Sequence, residues 1–172
     1  MTLKMIKPVE KLPKSRLEIA QTMVEFALVF PLILLITYGI IEFGRMVYIY
    51  AAVTGAAREG ARYGAASGNL VSPYFMDCSG IQTASQRGAI LLAIQTSDIS
   101  IWYDKGPGTP HIIDSCPPSI TQIKLGYRIG VHVIAHYAPM ISFLGFTGFD
   151  IVSENGRTIL MNVAIATPTP YP

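Results

Sequence analysis

The chain has 172 residues and a formal charge of +2, half of them apolar and only 14% charged. A soluble domain usually carries about 25% charged residues, so part of this chain belongs in an apolar medium. The small net charge excludes a nucleic-acid binder that works by charge. The length is that of one domain with at most an appended helix.

Charge is unevenly placed. Residues 1–20 carry Lys4, Lys7, Lys11, Lys14 and Arg16 against Glu10 and Glu18, a net of +3, whereas the remainder sums to −1. Pro8 and Pro13 oppose regular helix in this basic leader. A run without formal charge follows, Phe26 to Ile41, and between Ile19 and Ile41 the only charge is Glu25. About 20 apolar residues span a bilayer core as a helix. Basic residues before the span keep that side cytoplasmic, which directs the bulk of the chain outward. A carboxylate inside the span costs at least ~2.5–3.5 kcal/mol unless a partner offsets it. Glu25 therefore calls for an identifiable partner.

The helical pattern continues well past the span. Pro31 lies inside it and predicts a kink or loosening near Ala27. Gly39 and Gly44 weaken it by ~1 kcal/mol each relative to Ala. Glu42 and Arg45, spaced i, i+3, can pair on one face. Beyond them Ala52, Ala56, Gly60, Gly64 and Gly68 recur every four residues, a ridge of small side chains flanked by Ala57, Ala61 and Ala65. Such a ridge lets a second backbone come close. It packs either on the chain's own outer domain or on another copy. A helix over residues 17–67 would be ~75 Å long, far more than a bilayer requires.

Gly68 to Gly80 reads as a loop, and Thr83 to Thr96 as a second helix. Ile99 to Tyr103 is a predicted strand. Gly106 to Pro110 and Cys116 to Ser119 are turns. Gly126 to Tyr137 alternates strongly and predicts a strand. Asp150 to Glu154 and Thr158 to Val163 read as two strands joined by an Asn155-Gly156 hairpin. The tail from Thr167 to Pro172 is Pro-rich and extended. The fold class is thus α+β: a long N-terminal transmembrane and assembly helix packed on a small antiparallel sheet, with one extra helix. The domains are a leader at 1–20, the helix at 21–67 (transmembrane half 21–43, outer half 44–67), an extracytoplasmic α+β domain at 68–166 and a tail at 167–172.

Cys78 and Cys116 both fall in the outer part. An oxidising compartment makes a disulfide the natural reading, contributing roughly 3–4 kcal/mol by the chain-entropy argument. The alternative is two unpaired thiols. No close ligand pair accompanies them to make a metal site.

Other chemistry is thin. His132 and His136 are spaced as metal ligands on a helix, but on a strand that spacing is ~13 Å. His111 lies in a predicted loop near Asp114 and Cys116, where a disulfide-anchored surface loop explains it better than a metal or nucleophile site. Asp98 and Asp104 flank Trp102 and Tyr103, a pattern open to a sugar-binding edge and better explained as an ordinary strand with a core aromatic. Hydrolase, metalloprotease, P-loop and dinucleotide motifs are absent from the sequence. The reading is non-enzymatic, with no cofactor, no metal and no nucleic acid.

Three stretches carry a resemblance: Leu17 to Ile33 with its Ala20-Gln-Thr-Met-Val-Glu-Phe26 core, Tyr38 to Arg45, and Ala56 to Tyr63. Together they resemble the TadE-like pilins, small pseudopilins of the tight-adherence branch of type IV pilus systems. The resemblance is specific over about residues 17–66 and loose beyond. It implies a prepilin whose leader is removed by a membrane aspartic peptidase between Ala20 and Gln21, making Glu25 the fifth mature residue. Pilin leaders usually end in Gly, and this one ends in Ala20. The new α-amine at Gln21, with an ordinary pKa near 8, would then be the partner for the Glu25 of a neighbouring subunit. The partners implied are further copies and other pilins, the prepilin peptidase and an inner-membrane assembly platform. The implied location is the inner membrane with the N-terminus cytoplasmic, then a surface filament.

Two other readings remain. A membrane-anchored monomeric ectodomain would bind a ligand or act enzymatically without self-association. A secreted protein with an ordinary signal peptide fits less well: the apolar run is long, contains Pro31 and lacks an A-x-A site behind it.

Overall fold

A computed structural model describes residues 14–67, 73–119, 121–141, 145 and 148–160, those before residue 20 for their backbone alone. The chain divides into two units, Met1–Phe43 and Gly44–Pro172. Helix α1, Lys14–Ala65, belongs to both. Most of the leader, Gly68, residues 161–166 and the Pro-rich tail lie outside the described residues.

In the first unit α1 is helical throughout its described length and continues through Pro31. Pro31 has no N–H to offer the Ala27 carbonyl. The side chains from Ala20 to Phe43 are exposed, apart from the half-buried Tyr38 and Glu42. Phe26 stacks on Phe30 with ring centres 5.2 Å apart, the i, i+4 contact of neighbours on one helical face. Thr37 donates back to the Ile33 carbonyl at 2.8 Å.

The second unit holds the rest of α1, helix α2 (Cys78–Gly88) and four strands: β1 (Ile99–Asp104), β2 (His111–Ile113), β3 (Arg128–Tyr137) and β4 (Phe149–Thr158). The sheet is antiparallel with spatial order β2-β1-β3-β4. Its inner face is the odd-numbered residues of β1 and β3. Ile99, Ile101 and Tyr103 stand beside Ile129, Val131, Val133, Ala135 and Tyr137, all buried. That is the period-2 alternation of a sheet with one covered face. Val53, Ala56, Ala57 and Ala61 of α1 join the same core, each fully buried.

The small residues set how closely the layers approach. A Cβ at Gly60 would lie 2.0 Å from Ser85 Oγ and 3.3 Å from Val131 Cγ1. At Gly64 it would lie 2.6 Å from Ile129 Cδ1. Gly60 and Gly64 therefore pack on α2 and β3 of their own chain, and Ala52 and Ala56 of the same ridge are buried. A contact of backbone on backbone lies off that ridge. A Cβ at Gly55 would sit 2.9 Å from the Gly88 carbonyl oxygen, and one at Gly88 would sit 2.9 Å from the Gly55 oxygen. This crossing of α1 and α2 was not expected from the four-residue repeat.

Four sequence expectations need correction. The second helix is Cys78–Gly88 rather than Thr83 to Thr96. Its start is fixed by Asp77, which accepts from the Gly80 N–H at 2.9 Å as an N-cap. Its end falls where Gly88 meets α1. The apolar residues beyond it serve a connection that bends through Leu91, at a φ of +62°. The region Gly68 to Gly80 is correspondingly not all loop: Tyr74–Met76 forms a 3-10 turn before α2 begins.

The Asn155-Gly156 hairpin is absent, because β4 runs straight through both residues. Asn155 pairs with Val131 and Gly156 with Gly130. A two-residue hairpin of this type needs positive φ at both positions, and neither residue has it. Gly156 serves a different purpose. The indole of Trp102 lies over Gly130 and Gly156, where a Cβ would come within 2.0 Å and 3.2 Å of the ring. Finally, His111 is not in a loop but starts the short edge strand β2.

Candidate assembly site

Glu25 is the one charged side chain between Ala20 and Ile41. It is exposed on α1, and the Gln21 amide, one turn earlier, donates to its Oε1 at 3.2 Å. Ala20 and Gln21 are themselves exposed. The surrounding surface is apolar: Phe26 is 63% exposed and Leu28 75%. Side chains of this kind each favour burial by roughly 1.5–3 kcal/mol. Such a surface is stable only against lipid or other apolar helices.

In the second unit the outer part of α1 is held at several points. Arg45 donates to the Ala138 carbonyl and lies over the Tyr137 ring at 4.9 Å. Tyr48 donates to the Ile90 carbonyl. Tyr63 donates to Asp77 Oδ2 at 2.7 Å, so the cap of α2 is also its tie to α1. The Gly80 N–H, then the Tyr63 hydroxyl, hold the Asp77 carboxyl below the usual range. The same bond raises the Tyr63 phenol. Cys78 and Cys116 form a disulfide, with Cα atoms 5.8 Å apart. It joins the first residue of α2 to the segment after β2. Beside it the Tyr103 hydroxyl donates to the Phe75 carbonyl at 2.6 Å, and burial pushes its phenol well above the ordinary value.

The histidines do not converge. His132 and His136 stand on β3, where His136 meets Asp150 at 2.6 Å and His132 lies 3.4 Å from Ser100 Oγ. His111 meets Asp114 at 2.9 Å and stacks on Trp102 with ring centres 4.2 Å apart. Among the described residues no three His, Cys, Asp or Glu side chains gather as a metal site. Trp102 is 5% exposed and Tyr103 is fully buried, so neither offers a ring face to a sugar. Asp104, 1% exposed, accepts from Arg128 through two nitrogens at 2.9 and 2.6 Å and from the Gly106 N–H. Sequence spacing gave no sign of that buried pair, since its members lie on different strands.

Residues 20–62 match the family model described as TadE-like protein. The N-terminal helix is TadE-like. The match covers the segment with Glu25, Pro31, Arg45 and most of the small-residue ridge, and it stops before α2 and the sheet. No curated protein and no solved structure matches the chain. Helix α1 is the one helix among the described residues long and apolar enough to cross a membrane.

Proposed function

We propose that the protein is a structural subunit of a Tad-like type IV pilus, a minor pseudopilin or the major pilin. A prepilin peptidase removes residues 1–20 by cutting between Ala20 and Gln21. The mature chain rests in the inner membrane by residues 21–43, with the disulfide-bonded domain outside. The assembly platform then moves it into a filament beside other copies and other pilins.

One observation carries the reading. The TadE-like helix presents an apolar surface with no cover among the described residues of its own unit and a single carboxylate five residues after the expected cut. Lipid satisfies the apolar surface but not Glu25. A bundle of like helices satisfies both, because the Gln21 α-amine of one subunit neutralises the Glu25 of the next in an apolar core. Pro31 gives the helix a place to loosen as it leaves the bilayer.

The test is substitution at Glu25. Glu25→Ala removes the cost of a charge in lipid and should leave membrane insertion intact or improved, while filament incorporation falls at least tenfold. Glu25→Asp should retain part of the incorporation. Filament yield, read by shearing and quantitative immunoblotting against the membrane pool, decides it. Unchanged incorporation of Glu25→Ala would remove the role assigned to this carboxylate.

A further inference from the structure

The second unit carries two exposed apolar features, one convex and one concave. The convex one follows α2. Ile90 and Leu91 form the tip of the connection that leads towards β1, and both are exposed, Leu91 at 92%. Scattered exposed apolar residues are ordinary, but this tip is held in place. Ala89 and Ile94 on either side of it are buried. The Leu92 N–H donates to the Ala89 carbonyl at 3.0 Å, the Gln86 amide to the Ile94 carbonyl at 3.0 Å, and the Tyr48 hydroxyl of α1 to the Ile90 carbonyl. Leu91 is also the one non-glycine among the described residues with positive φ. Such a conformation persists only where its surroundings impose it.

The concave feature is a groove of about 340 Å³ between Met46, Val47 and Tyr50 of α1 and Phe149 to Val152 of β4. Its lining is almost wholly apolar, with Asp150 its one charged residue. Helix α1 separates groove and tip. Successive residues of a helix point about 100° apart. Ile49 and Val53 face the core, which leaves Tyr48 on one flank of that stripe and Val47 and Tyr50 on the other. Tip and groove therefore lie on opposite flanks of α1 and at one level along it. Two copies set side by side with this part of their helices parallel bring the tip of one to the groove of the next. The nearby charges agree. Arg87 is exposed three residues before Ile90, and Asp150 is exposed at the groove, where His136 meets it. Opposite charges beside the two features favour this pairing and set its register.

We propose that Ile90 and Leu91 of one copy seat in the groove formed by Val47, Tyr50, Phe149 and Val152 of the next. The two surfaces differ, so the contact is heterologous. Each pair of copies keeps one free tip and one free groove, and the series extends as an open filament unless its rotation closes a ring. The inference rests on the pilus-subunit reading above and deepens it, because it makes another copy of this chain the neighbour of the outer domain, as in a repeating subunit.

The test uses the full chain in its native cells, with Leu91→Cys and Val152→Cys introduced singly and together. Both positions are exposed. A short bismaleimide joins free thiols and leaves the Cys78–Cys116 disulfide closed. Sheared filaments and membranes are then resolved by denaturing electrophoresis and immunoblotting. In the sheared fraction the double variant should give a ladder of dimers, trimers and higher species, and each single variant at least tenfold less cross-linked product. The two single variants expressed together should stop at dimers. Leu91→Asp should cut filament incorporation at least tenfold with thermal unfolding unchanged. Sheared filaments that contain the double variant without a ladder would overturn the contact and leave the pilus reading standing, as would full incorporation of Leu91→Asp. Abundant dimers from one single variant would show like surfaces meeting and also overturn it. Absence of the chain from the sheared fraction would overturn both the contact and the pilus reading.

Discussion

Gly64 and Gly44 lie on one helix and have opposite surroundings. A Cβ at Gly64 meets Ile129 and Ile81, whereas Gly44 has nothing within 4 Å. Gly64→Val should cost about 1–3 kcal/mol through overpacking. Gly44→Ala should stabilise the helix by up to ~1 kcal/mol, since only backbone entropy is at stake. Thermal unfolding of the detergent-solubilised chain, followed by circular dichroism, checks both signs. Equal effects would mean that the small-residue ridge is not what sets the α1–sheet distance. A second prediction concerns Asp77. Its carboxyl is held below the usual range, so its contribution is complete above the ordinary carboxylate pKa and is lost as pH falls through the lowered one. Asp77→Ala should cost about 1–2 kcal/mol at neutral pH as a lost N-cap, and the gap from the native protein should close in strong acid. A gap that persists unchanged there would show that the carboxylate charge is not involved. His136 works with the opposite sign. Its pairing with Asp150 raises its pKa, so that contact is complete below the ordinary imidazole value and is lost as pH rises through the raised one. The pair is exposed and contributes little.

At the scale of elements, β1 and β3 were legible because one buried face imposes strict alternation, and α1 was legible because its composition is extreme. The structure shifted α2 for reasons that composition does not display. Asp77 is an ordinary residue until the Gly80 N–H and Tyr63 converge on it, and Gly88 ends the helix through a contact with Gly55, 33 positions earlier. The Asn155-Gly156 pair misled for a similar reason. The local signal is a hairpin, but the glycine makes room for an indole that arrives from β1. Cys78–Cys116 belongs to this scale too, since it joins α2 to the segment after β2. Reduction should lower the stability of the outer domain by roughly 3–4 kcal/mol, with α1 still helical. Denaturant titrations with and without reductant measure it. An unchanged midpoint would mean that the Tyr103 and core contacts alone hold that corner.

For the whole molecule, the part that matches the family model and the part that does not coincide with the two tasks proposed for the chain. The TadE-like match ends within α1. The proposed membrane residence and helix bundling both rest on that stretch, whose apolar run, lone Glu25 and small-residue repeat are visible without a structure. The sheet domain carries no such signature, because its buried Asp104–Arg128 pair, its Trp102 stack and its three separated histidines depend on strand register. Its place in the account is the exterior of a filament, where fold rather than motif is needed. The central claim is that the basic leader is removed and the helix it precedes becomes an assembly element. Intact-mass and N-terminal analysis of the protein sheared from the cell surface tests this most directly. The account predicts a chain beginning at Gln21 with Cys78–Cys116 linked. A chain that retains Met1 and stays in the membrane fraction would contradict it.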